Sequence, residues 1–140
     1  MGWRKMRQVF SAKTGQVVMD EDWLPDAQSP EQIRDLAFEA IKDRRDQAIT
    51  AGITVAGVPI HTDEISQTRI MGAAVAAIMD ADYSVQWKAA DGTFVTLSAA
   101  QVIGIASAVR AHVQAAFDRE AELRAAVLAG DPYDIEVGWP

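Results

Sequence analysis

One pattern occurs twice in the chain, and this repetition most constrains its fold. Two short apolar runs flank Gly57, a residue suited to cap a helix follows at Asp63, and an apolar periodic run comes next. The same order recurs about 35 residues later around Gly92 and Ser98. Glycine between short apolar runs predicts a β-hairpin, and a capping residue before a periodic run predicts a helix. Two copies are too few for a solenoid. They predict a small antiparallel sheet, or two of them, with helices packed on one face.

A helix precedes these units and a long helix ends them. Residues 29–32, SPEQ, carry a capping serine, a proline suited to the first turn and a glutamine that closes a capping box, which predicts a helix over residues 30–51. The second predicted helix covers residues 64–81. The third follows Ser98 and runs to residue 128 or 129. The predicted fold class is therefore α+β, in the order α-ββα-ββα, with a long C-terminal helix.

The third helix is longer than a domain of this size needs, about 45 Å at ~1.5 Å per residue. Its second half is charged on most sides and keeps only a narrow apolar stripe. Apolar residues occupy every seventh position: Val102, Val109, Ala116 and Leu123. We expect the second half to pack on the first helix of the same chain or on a second subunit. From the length of this helix we expect the chain to be a homo-oligomer.

Two segments flank the predicted domain, which covers residues 29–130. Residues 1–28 form an irregular arm whose short apolar runs at 8–10 and 16–19 predict strands. Residues 131–140 alternate apolar and acidic side chains, which predicts an extended tail able to add to a sheet edge in a partner. We expect partner contacts at apolar residues of the flanks and of the third helix: Trp23, Leu24, Phe117, Leu123, Val127, Tyr133, Ile135 and Trp139.

Composition excludes several classes of function. The chain has 140 residues, no cysteine and a net charge of −7. Its length suits one domain, and the lack of cysteine excludes disulfides and thiolate metal sites. Nucleic-acid binders usually carry a basic face, so we expect no nucleic-acid partner. The sequence contains no run of 18 apolar residues, so we expect no membrane span. The first ten residues lack the apolar region of a signal peptide.

The stretch GVPIHTDEIS, residues 57–66, places His61 beside acidic and hydroxyl side chains and raises the question of a reactive site. In the second unit, residues 96–98 (TLS) leave a strand and cap a helix without a histidine or an acid. This comparison favours a structural junction over a hydrolase that uses His61 with Asp63. His112 on the third helix is predicted to be a packing residue. The chain lacks the HExxH, G-x-S-x-G and glycine-rich phosphate motifs, so we predict no catalytic residue, cofactor or metal site.

Five features together resemble an uncharacterised domain family found in tailed-bacteriophage proteins. They are Arg44-Arg45 at a helix end, the step from Gly57 to Asp63, the pair Trp87-Lys88, the turn Asp91-Gly92 and the helical His112. The resemblance covers residues of about 32–128. In that family the domain occurs in tail-fibre, tail-assembly and related reading frames.

The resemblance implies a non-enzymatic structural component of a phage tail, such as an adaptor at the tail fibre or baseplate. Such a protein would be made in the host cytoplasm, reside in the virion and contact other tail proteins. The alternative is a tail-fibre assembly chaperone that is absent from the mature virion. The two differ in whether the protein is present in finished particles.

Overall fold

The computed structural model describes residues 8–11, 16–19 and 28–140. The chain divides into two compact units, residues 1–39 and 40–140. In the first unit, β1 (Gln8–Ser11) pairs antiparallel with β2 (Gln16–Met19), with Gln8 opposite Met19. These are the two strands that the sequence predicts in the N-terminal arm. Trp23 and Leu24, which were predicted to contact partners, lie outside the described residues.

The helices and remaining strands confirm the predicted α+β class. Helix α1 begins in the first unit and ends in the second, and every later element lies in the second unit. In chain order they are α1 (Pro30–Ile49), β3 (Ile53–Val55), β4 (Val58–Ile60), α2 (Glu64–Met79), β5 (Ser84–Lys88), β6 (Phe94–Ser98) and α3 (Ala99–Ala129). Each hairpin forms its own two-stranded antiparallel sheet.

Capping residues define where the helices begin. Ser29 accepts a hydrogen bond from the Gln32 amide at 3.1 Å, and the Gln32 side chain accepts one from the Ser29 amide at 2.8 Å. Ser98 and Gln101 form the same reciprocal box at the start of α3. These bonds satisfy backbone N–H groups that have no partner inside the helix. The capping boxes predicted at both sites are therefore confirmed.

The turns determine the register of the two hairpins. In β3–β4 the turn residues Ala56 and Gly57 both have positive φ, 49° and 81°. A two-residue turn of this kind matches the right-handed twist of paired strands. In β5–β6 the Ala89 amide donates to the Thr93 carbonyl at 2.7 Å, and Gly92 takes a φ of 86°. This φ favours glycine because residues with a side chain rarely adopt it.

The main core lies where one face of both hairpins packs against α2 and α3. Alternate strand residues point inward, and α2 runs along α3. The buried residues of this core are Ile60, Ile70, Ala77, Leu97, Ala99, Val102, Ile105 and Val109. The helices thus cover one face of each small sheet, as the sequence predicts.

The second half of α3 packs on α1 of the same chain. All four residues of the predicted seven-residue row on α3 are buried, and on α1 the buried residues Ile41 and Ala48 are also seven apart. His112 is buried, and its Nε2 lies 2.9 Å from the Ala48 carbonyl oxygen, to which it donates. An imidazole in this place joins the end of α1 to the middle of α3, which is the predicted packing role.

The C-terminal tail is not the strand that its alternating pattern predicts, and that prediction was wrong. Residues 131–140 form turns against α3 and α1. The Arg119 guanidinium donates to the carbonyls of Val137 (3.0 Å) and Asp134 (3.3 Å), while Glu136 pairs with Arg44 at 3.3 Å. Arg119 therefore donates to backbone carbonyls that the amides of a neighbouring strand would otherwise bond, and Arg44 neutralises the acidic side chain. Gly138, with a φ of 85°, breaks any extended run.

Candidate functional site

The predicted contact residues of α3 and the tail do not form one exposed surface. Leu123 is only 1% exposed and belongs to the buried row of α3, so it is a core residue and not a contact residue in this structure. Phe117 is partly exposed, but the Arg45 guanidinium carbon lies 4.7 Å from its ring centroid. Tyr133 is exposed. The remaining three are half-buried: Val127, Ile135 and Trp139.

The stretch from residue 57 to residue 66 is a structural junction between α1, β4 and α2. Thr62 is buried, and its hydroxyl donates to the Ile49 carbonyl and accepts the Gly52 amide at 2.9 Å. One side chain thus satisfies a carbonyl at the end of α1 and the amide that follows it. This threonine was not singled out in the sequence, because its partners lie ten and thirteen residues upstream.

Asp63 caps α2, as predicted. Its carboxylate accepts hydrogen bonds from the Ser66 hydroxyl and from the Ser66 amide, the latter at 3.2 Å. These two bonds hold the pKa of Asp63 below its usual value, with a smaller contribution from the nearby His61. Both carboxylate oxygens are engaged with Ser66, and His61 is exposed beside them. The arrangement favours a helix cap over an acid that orients an imidazole.

An open cleft of about 550 Å³ lies between this junction and the β5–β6 turn. His61, Ser66 and Arg69 form one wall, and residues 87–92 form the other. Within residues 28–140, neither Arg69 nor Lys88 has a carboxylate within 4.0 Å.

Among the residues that the structure describes, Asp91 is the only acid that lines this cleft, and it already accepts hydrogen bonds. It accepts bonds from the Thr93 hydroxyl at 2.7 Å and the Thr93 amide at 3.0 Å, which lower the pKa of Asp91. Its carboxylate stays ionised, so Arg69, Lys88 and Asp91 together give the cleft lining one net positive charge.

A backbone hydrogen bond joins the two hairpins beside the cleft. The Ala90 amide donates to the Pro59 carbonyl at 2.9 Å, which links the segment after β5 to β4. Within the described residues the two hairpins form separate sheets. The cleft is the space between residues 61–69 and the end of β5 with the turn that follows it.

A second candidate surface is the outer face of α2. Met71, Val75, Ile78 and Met79 are 51–81% exposed. Their spacing of four, seven and eight residues places them on one side of the helix. We call these four residues the α2 face. Sequence reasoning missed it because α2 is apolar on both sides, with Ile70 and Ala77 buried opposite, and the pattern alone does not tell which side is covered.

These elements define an α+β domain with a cationic cleft and an apolar helix face. A family model described as "Domain of unknown function (DUF4376)" matches residues 32–137, and the chain belongs to this family. No curated protein and no solved structure gave a significant match. The matched range contains all of residues 32–128, and the family's description names no function.

None of the helices in the described part of the chain combines the length and apolar character needed to cross a bilayer. Among the described residues, no group of three or more histidine, cysteine, aspartate or glutamate side chains is arranged to hold a metal ion.

Proposed function

We propose that this protein is a non-enzymatic structural component of a bacteriophage tail, an adaptor at the fibre or baseplate that acts through protein–protein contacts. The exposed α2 face is the observation that carries the proposal. Contiguous apolar surface on a folded domain marks a site of interaction. The tail context comes from the resemblance carried by features such as Arg44-Arg45 and Trp87-Lys88. Neither a nucleic acid nor a cofactor is part of this proposal.

The α2 face is suited to a second copy of the same chain. Gly72 lies at the middle of α2, and a Cβ added there would meet nothing within 4 Å. A second helix can therefore approach closely at this point. Antiparallel packing about a two-fold axis at the middle of α2 would bring Ile65 of one helix towards Ile78 of the other, and both are exposed. Such a self-complementary contact is typical of symmetric dimers.

We expect Val75→Glu to convert a dimer into a monomer. The substitution places a carboxylate at the centre of the α2 face, where a dimer would have to bury it without a partner. Sedimentation velocity over a concentration series measures the change. The matched control is Leu128→Glu, since Leu128 is also exposed and apolar but lies at the end of α3. A wild-type monomer at every concentration, or equal dissociation of both variants, would refute this arrangement.

An assembly chaperone is the second candidate, because the same apolar face could hold a client protein before assembly. Mass spectrometry of purified particles from the parent phage separates the two roles. A fixed number of copies per particle supports the structural component. Absence from particles with abundance in lysates supports the chaperone.

The hydrolase alternative is less favoured by the geometry. It requires Asp63 to act with His61, whereas both oxygens of that carboxylate accept bonds from Ser66. Our proposal therefore assigns this segment to the junction between β4 and α2.

A further inference from the structure

We infer that the cleft lined by His61, Arg69, Trp87 and Lys88 binds an extended acidic peptide segment of a partner protein. This inference rests on the proposed function, in that the ligand belongs to another protein. It adds a second surface, separate from the α2 face, and specifies the chemistry of what occupies it. An adaptor requires two such surfaces.

The cleft carries two cationic side chains although the chain as a whole is acidic. The chain carries a net charge of −7, so it repels most acidic partners at long range. In the described residues, Arg69 and Lys88 lack an ion-pair partner, yet both line the same cleft. A guanidinium binds a carboxylate through two parallel hydrogen bonds. An ammonium can donate a hydrogen bond to a carboxylate that approaches from many directions. Glutamate or aspartate side chains spaced along a peptide match this pair.

One edge of β5 faces away from β6 and presents backbone N–H and C=O groups. The bond from the Ala89 amide to the Thr93 carbonyl fixes which residues of β5 face β6. In an antiparallel ladder the alternate residues point their N–H and C=O groups to the other edge. Those residues are Gln86, Lys88 and Ala90.

On this outer edge the Ala90 amide donates to the Pro59 carbonyl. Within the described chain, the amides of Gln86 and Lys88 have no backbone acceptor. Lys88 thus offers both an open edge and a cationic side chain. A peptide strand added to this edge would continue the pairing that Pro59 begins.

The shape of the cleft favours a peptide over a small anion. An open space of about 550 Å³ is far larger than a phosphate group. Glycine-rich loops that bind phosphate place several amides around one point, whereas here the positive groups are spread along two walls. The half-buried Trp87 adds an apolar surface beside them. This apolar surface could contact an apolar side chain of a peptide whose neighbouring residues are acidic.

The test is an NMR titration of the full-length ¹⁵N-labelled protein with the acetylated and amidated peptide EELEE. We expect saturable shifts at the amides of Gln86 and Lys88 and at the Trp87 indole. The double variant Arg69→Gln, Lys88→Gln should weaken binding about tenfold, because both charge-assisted contacts are lost. Arg110→Gln is the control for charge loss outside the cleft, since it removes one positive charge from an exposed residue of α3, as each half of the double variant does within the cleft. It should leave binding unchanged.

Three results would overturn the inference. The first is equal binding of the neutral peptide QQLQQ, which would exclude charge recognition. The second is the absence of saturable shifts at these residues up to millimolar EELEE. The third is displacement of the peptide by an equal concentration of inorganic phosphate, which would indicate a small-anion site.

The proposed α2 dimer is tested separately by Val75→Glu. Peptide binding by that variant should match the wild type, because Val75 does not line the cleft. If EELEE fails to bind while Val75→Glu still abolishes the dimer, only the cleft assignment is lost. If EELEE binds while the protein remains monomeric, only the α2 contact is lost.

Discussion

Replacing Leu123 by alanine is expected to lower the free energy of unfolding by about 2–5 kcal/mol. Leu123 is 1% exposed and ends the buried seven-residue row of α3. Truncating its side chain at Cβ costs the transfer free energy of the lost methine and two methyl groups and leaves a cavity, because the surrounding helices relax only in part. Denaturation with urea, followed by circular dichroism, measures the loss as a shift in the midpoint.

The matched control for this substitution is Leu128→Ala. It makes the same chemical change five residues later in α3, at a side chain that is 64% exposed. We expect a change within about 0.5 kcal/mol. Similar losses at Leu123 and Leu128 would show that the second half of α3 does not pack on α1. The long helix would then have to bury its apolar row elsewhere, as in the two-subunit alternative that the sequence leaves open.

Local chemistry explains why the sequence predicts so much of the fold. The caps at Ser29, Asp63 and Ser98 bond residues three positions away, so their partners can be seen in the sequence. The turns at Gly57 and Gly92 depend on two or three adjacent residues. The apolar row of α3 can also be recognised from its seven-residue spacing alone, without reference to distant residues. Such features were predicted to within about two residues.

The parts that sequence reasoning missed depend on contacts between distant residues. The alternation in the tail fits a strand, but whether Glu136 faces a strand partner or Arg44 is decided 92 residues away. The cleft lies between residues 61–69 and 87–92, and neither segment signals in the sequence that the other lies opposite. The α2 face illustrates the same limit, since a helix that is apolar all round does not reveal which side is covered.

Replacing Arg45 by methionine is expected to lower the free energy of unfolding by about 2–3 kcal/mol, somewhat below the cost of breaking a fully buried pair. The side chains of Arg45 and Glu120 are only 15% and 12% exposed, and their N–O distance is 2.9 Å. Burial alone would lower the pKa of Arg45, but hydrogen bonds to Asp46 and Glu120 raise it. The cation also lies over Phe117. Methionine keeps much of the packing and removes the charge, which leaves Glu120 half-buried without its partner.

The double variant Arg45→Met, Glu120→Leu determines what this ion pair contributes. Because the main cost of the single substitution is an unpaired carboxylate, removing that carboxylate should restore most of the lost stability. Urea denaturation of the wild type, both single variants and the double variant gives the coupling free energy. Arg110→Met serves as the control for the loss of one exposed cation and should change stability by less than about 0.5 kcal/mol. If the double variant is as unstable as the sum of the single variants, the pair is not coupled. The attachment of α3 to α1 would then depend on its apolar row and His112 alone.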